Sequence, residues 1–246
     1  MKKLIIATML FMVSITTYSV NVAAASNLKF VLEELKTAFI KKNPNTKVQL
    51  TFGSSGMLAQ QIINGANFDL FMSADNDYPV KIIEHHLHSG KMETYAFGKL
   101  VIYSTSIDVK RLGIKSLRDK SVKKIAIANP ATATYGNRAV EVLQHENIYE
   151  LLRPKLVIGE NISQCSQFIF SGNVELGFTA LSLALSEDMK QKGNYYIVPD
   201  HYYKPIEQAC VLIKTPTPDP AAVLFQKYIL SATAKVIWKK HGYGVP

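Results

Sequence analysis

Hydrophobic and polar positions along the chain switch between two periods. Val20–Ala24 is a short β-rich run, Ser26-Asn27 supplies helix-capping side chains, and Leu28, Val31, Leu32, Leu35, Ala38 and Phe39 recur at helical spacing. Lys47–Phe52 (KVQLTF) alternates with the two-residue period of a half-buried strand. Ser54-Ser55-Gly56 opens a helix carrying Leu58 and Ile62 and closed by Asn64-Gly65. Phe68–Met72 reads as a buried strand, Asp75 or Asp77 starts a helix closed by Gly90, and Leu100–Tyr103 reads as a strand.

The middle of the chain repeats this scheme without repeating its residues. Ile125–Ala128 is a strand, the loop Ala131–Gly136 follows, and a helix covers Asn137–Leu143. Leu156–Ile158 leads to a helix from about Asn161 to Ser171, and Leu176–Thr179 leads to Leu181–Leu185. Ile197-Val198 ends this half before a loop at Pro199–Pro205. Gln208–Ile213 is a strand, followed by helices over Ala221–Ile229 and Thr233–Lys240. Alternating strands and helices predict an α/β architecture with parallel sheets wrapped by helices. Two such units imply a discontinuous arrangement: one lobe from residues 20–100 plus 206–246, the other from 101–205. No Gly/Ser/Pro-rich tether separates them, which favours strand hinges.

The first residues read differently. Lys2-Lys3, the apolar stretch Leu4–Val13 and the small, polar exit Ser14–Ser19 form the three-part pattern of a cleavable export signal over residues 1–19, cut after Ser19. Beyond it no run approaches the roughly 18 apolar residues of a membrane span. Its removal leaves 26 Lys+Arg against 19 Asp+Glu, lowering the net charge from +9 to +7. The lysines are scattered and no Arg-rich or aromatic-interleaved patch occurs, so the charge indicates solvated surface and not a nucleic-acid partner.

Ligands of open α/β sheets bind beyond the C-terminal ends of strands, where helix N-termini point. Four junctions qualify: Ser26-Asn27, Ser54-Ser55, Ala131–Gly136 and Glu160–Ser163, two in each lobe. The first two carry no Lys or Arg, so an anion there would be held by neutral donors and helix dipoles. Each junction alone is also what an ordinary helix cap looks like. Their combination across two lobes points to an exported anion binder.

AAASNL at Ala23–Leu28, FGSSGMLAQQI at Phe52–Ile62, FDLFMSAD at Phe68–Asp75, NPATATYG at Asn129–Gly136, LGFTALS at Leu176–Ser182 and the terminal HGYGVP resemble the periplasmic molybdate-binding proteins of molybdate ABC transporters. The resemblance implies a type II periplasmic binding fold, two lobes of mostly parallel sheet with the ligand cleft between them. It also implies a monomer in the periplasm that delivers molybdate, and tungstate with it, to a membrane permease. By position, Ser26 and Ser55 would donate hydroxyl and amide to the oxyanion. Tyr135 and Ile162 would donate backbone N–H groups, with Asn27 as an additional backbone donor. Where some relatives place a ligand-binding tyrosine, this chain has Ala180. Molybdenum enters only within the anion, with no direct metal ligand and no cofactor. A fully deprotonated dianion needs donors only, so Asp75 reads as a helix cap and Glu160 as peripheral. A receptor for another tetrahedral oxyanion such as sulfate is the alternative, separated by cavity size.

Other groupings carry less. His85 and His88 could share a helix face as metal ligands, but the helix C-terminus itself favours histidine. Tyr202-Tyr203 beside His201 could mark an iron binder, and more simply marks packing. Catalysis at Ser55 would need a histidine base, and no G-x-S-x-G elbow occurs. Cys165 and Cys210 fit a disulfide or two buried thiols equally well.

Overall fold

The computed structural model describes residues 18–216 and 219–246. The chain begins with β1 (Tyr18–Ala25), a single 3₁₀ turn at Ser26–Leu28 and α1 (Lys29–Lys42). It continues through β2 (Thr46–Gly53), α2 (Ser55–Ile63), β3 (Leu70–Met72), α3 (Asp77–Glu84) and β4 (His88–Gly98). The second lobe holds β5 (Leu100–Ser104), α4 (Val109–Leu112), β6 (Ile125–Ala128), α5 (Thr134–His145), α6 (Tyr149–Leu152), β7 (Leu156–Gly159), α7 (Ile162–Phe170), β8 (Leu176–Ala180), α8 (Leu181–Ala184), α9 (Glu187–Lys192) and β9 (Asn194–Ile197). The chain then returns as β10 (Ile206–Ile213), α10 (Pro220–Ile229) and α11 (Ala232–Lys240).

Each lobe is built on one five-stranded sheet, in the orders β2-β1-β3-β10-β4 and β7-β6-β8-β5-β9. In both, three adjacent strands are parallel and the fourth runs against its two neighbours. That antiparallel strand is the one entered directly from a crossing: β5 after Lys99, β10 after Pro205. The crossings lie side by side, with Val198 N–H donating to Leu100 O (3.0 Å) and Leu100 N–H to the Tyr203 hydroxyl (3.2 Å). Tyr203 is thus buried at the crossings, and Tyr202 packs on His145 and His201. This tyrosine pair packs as the simpler reading expects.

Residue type follows sheet position. Central β5, β6 and β8 are buried throughout and read as unbroken apolar runs, while the edge strand β2 keeps its alternation because one face meets water. From α1, Val31, Leu32, Leu35 and Phe39 are buried, each large aliphatic side chain being worth about 1.5–3 kcal/mol.

Two elements differ from the expectation. The strand β4 was not predicted: its SGKMET start is polar, and it is an edge strand whose pairing partner β10 lies more than 100 residues away. The third helix stops at Glu84, with His86 in the left-handed region (φ 56°), so Gly90 lies inside β4 and His85 and His88 share no helix face. Among the described residues no group of three His, Cys, Asp or Glu could hold a metal ion. Residues 1–17 of the expected export signal lie outside the described residues, and the expected cut after Ser19 falls within β1. There Tyr18 and Ser19 already pair with Thr46 and Lys47. Among the described residues no helix is long and apolar enough to cross a membrane.

Cys165 and Cys210 are both free and buried, in different lobes. Burial pushes each thiol up to about 12, so at pH 8 roughly one thiol in ten thousand is ionised. Folded protein treated with an aromatic disulfide reagent at pH 8 is expected to release no chromophore within an hour, and two equivalents after denaturation. Fast release from the folded state would show that one thiol is accessible.

Candidate functional site

The site forms where four parallel strands end. Ala25 of β1 is level with Gly53 of β2, and Ala128 of β6 with Gly159 of β7. In each lobe the two strand ends therefore release their helices side by side, and the lobes face one another across these ends. All five residues expected from the sequence, Ser26, Asn27, Ser55, Tyr135 and Ile162, surround one small cavity. They are at most 4% exposed. Among the described residues, no charged side chain lines the cavity.

The hydrogen bonds around it orient its donors. The Ser55 hydroxyl oxygen accepts Ala74 N–H (3.0 Å), and that of Ser26 receives Ser163 N–H at 3.4 Å. With an acceptor lone pair already used, each hydroxyl can turn its proton into the cavity. At α7 the Asn161 side chain caps Ser163 and Gln164 N–H (3.0 and 3.1 Å), so the Ile162 N–H is the first-turn donor left for a ligand. At α5 the Ala133 carbonyl takes Gly136 and Asn137 N–H (2.9 and 3.1 Å), leaving the first-turn N–H groups of Thr134 and Tyr135 for a ligand. Gly136 makes this possible: a Cβ there would lie 2.1 Å from the Ala128 carbonyl oxygen, so only glycine lets the first turn of α5 rest on the end of β6.

The lobes are closed on one another. Ser163 Oγ–H donates to Ser26 O (2.9 Å), Gly56 N–H to Thr132 O (2.8 Å) and Ser182 Oγ–H to Asn27 O (3.0 Å). Asp75 is a cap, accepting Tyr78 N–H (3.1 Å), and its second oxygen accepts the Thr134 hydroxyl from the other lobe. Glu160 is exposed, as expected. Ala180 is buried at the end of β8 and does not line the cavity.

The sequence placed Ser54 at a ligand junction but did not count it among the oxyanion donors. It occupies the N-cap of α2 but caps no amide, and its buried Oγ has no partner among the described residues. It lines the cavity beside Ser55. The repeated serine of the GSSG run was the available signal.

The model of the family described as "Bacterial extracellular solute-binding protein" matches residues 20–244. The chain belongs to this family of solute-binding proteins. Among its relatives, the molybdate-binding protein ModA of Rhodobacter capsulatus is 38% identical over 225 residues, covering 90% of this chain and 86% of that one. That of Azotobacter vinelandii is 36% identical over 227 residues, covering 92% and 90%. The solved periplasmic molybdate-binding protein of Azotobacter vinelandii superposes with a TM-score of 0.87 at 32% identity, over 92% of this chain and 99% of that one. The solute-binding protein therefore has the two-lobe type II fold anticipated from its motifs.

Proposed function

We propose that this solute-binding protein is an exported receptor that captures molybdate, and tungstate with it, and hands the anion to a membrane ABC permease. One observation carries the reading: hydroxyl and backbone donors from both lobes converge on a single small cavity that, among the described residues, no charged side chain lines. Such a site offers protons and helix N-termini to a fully deprotonated tetrahedral dianion. It gives a protonated phosphate no carboxylate acceptor. The relatives named above, which bind molybdate, support the same choice over sulfate. The chemistry is capture without turnover: the Ser55 hydroxyl is positioned by a backbone amide and not by a base. Bridging both lobes, the anion favours the closed form, and the permease then reads that form.

A thermal-shift series tests this. Molybdate or tungstate at about 100 times its Kd is expected to stabilise the protein by about 2.7 kcal/mol, a rise of roughly 5–10 °C in Tm for a chain of this size. Sulfate and phosphate are expected to leave Tm unchanged. A shift with sulfate alone would keep the fold and overturn the substrate.

A further inference from the structure

Beneath the anion cavity lies a buried polar cluster that no expected ligand contact accounts for. Gln208 sits in β10 just after the second crossing, opposite Ala96 of β4, which precedes the first crossing. It is fully buried. Its Oε1 accepts Asn27 Nδ2–H (3.0 Å) and the Tyr95 hydroxyl (3.1 Å), and its Nε2–H donates to the Tyr135 hydroxyl (3.3 Å). Asn27 and Tyr135 are the cavity residues from opposite lobes. The Asn27 end is held further by Tyr243, whose hydroxyl accepts Asn27 Nδ2–H and donates to Asn27 O, both at 2.9 Å.

We infer that Gln208 is a positioning residue: through Asn27 on one side and the Tyr135 hydroxyl on the other, it couples the hinge to the oxyanion site and stabilises the closed form without touching the anion. The Tyr135 phenol and Gln208 belong to different lobes, so their hydrogen bond ties the lobes together in the closed arrangement. A buried amide or phenol deprived of its partner is costly, so the bond biases the same equilibrium that the bridging anion biases. Two influences on one equilibrium are coupled, and the coupling appears in affinity. Gly98, at the first crossing, belongs to the device. A Cβ there would meet the Tyr135 hydroxyl at 2.3 Å and Gln208 Nε2 at 2.6 Å, so glycine leaves room for the phenol. Burial holds the Tyr135 phenol well above its usual range, so it stays protonated at every ordinary pH.

The inference rests on the molybdate reading, and its test separates the two. Tyr135→Phe removes only the hydroxyl and keeps the backbone N–H that faces the cavity, while Gln208→Met removes the carboxamide at similar volume. Molybdate binding is followed by calorimetry and by stopped-flow fluorescence of Trp238, the chain's one tryptophan. It packs on Tyr95 and Tyr243 of the cluster at 5.1 and 5.3 Å. Each single variant is expected to raise Kd about tenfold, with the change in koff and kon within about twofold. The double variant is expected to lose about as much as one single variant, not the product of both. Singles that lower Tm yet bind molybdate with parental Kd and koff would make the cluster merely structural and overturn the role. So would losses that multiply in the double variant. Should Gln208→Met fail to fold, Tyr135→Phe alone decides: parental koff overturns the role and accelerated koff supports it. A parent that binds sulfate in place of molybdate overturns the substrate reading, and the same comparison is then made with sulfate.

Discussion

A Ser26→Ala/Ser55→Ala double variant is expected to bind molybdate about a hundred to ten thousand times more weakly than the parent while staying folded. Each substitution removes one proposed O–H donor to a charged ligand, worth about 1.5–3 kcal/mol, and each 1.4 kcal/mol is about tenfold in Kd. Structural consequences are smaller. Ser55→Ala leaves the buried Ala74 N–H without its acceptor, a loss of about 1–3 kcal/mol, whereas the Ser26 hydroxyl receives only the 3.4 Å contact from Ser163. Calorimetric titration beside far-UV circular dichroism measures both properties. Parental affinity in a folded double variant would remove these serines from the site. Ser54→Ala is the informative companion, since its buried Oγ has no partner to lose among the described residues: weakened binding with unchanged Tm would make it a third hydroxyl donor.

Gly136→Ala is expected to be the most damaging single-methyl change in the second lobe. The added Cβ would lie 2.1 Å from the Ala128 carbonyl oxygen and 2.6 Å from its carbon. Both are backbone atoms of a strand buried between β7 and β8, so neither yields. The first turn of α5 would have to lift from the sheet, at about 3 kcal/mol or more, lowering Tm by roughly 6–12 °C. The Tyr135 N–H moves with that turn, so molybdate affinity falls as well. Gly172→Ala is the control: its Cβ meets no atom within 4 Å, and only its φ of +77° opposes the change, at about 1–2 kcal/mol. Equal Tm losses in the two variants would show that α5 accommodates the methyl group.

Much of this architecture can be read from local pattern. The helical spacing of Leu28, Val31, Leu32, Leu35 and Phe39 and the alternation of KVQLTF arise from burial of one face, a signal carried by neighbouring residues. Capping residues after strands marked the four junctions in advance, and the motifs aligned Ser26, Asn27, Ser55, Tyr135 and Ile162 with an oxyanion. Edge strand β4 escaped because its polar start has no periodic signature and its definition comes from pairing with β10. The end of α3 at Glu84 escaped because His85-His86 turns the chain in a left-handed conformation that a non-glycine sequence does not advertise.

By itself, then, the sequence determined most of the alternation of strands and helices and the residue types that follow each strand end, because these depend on contacts within a few residues. Only the tertiary structure decided which strand ends stand level, which junctions face each other, and which amides the Ser26 and Ser55 hydroxyl oxygens accept. It alone placed Gln208 between Asn27 and Tyr135, 181 and 73 residues away along the chain. Hydrogen bonds over such separations form only when the sheets have been assembled and the lobes have met. Local propensity carries no record of them.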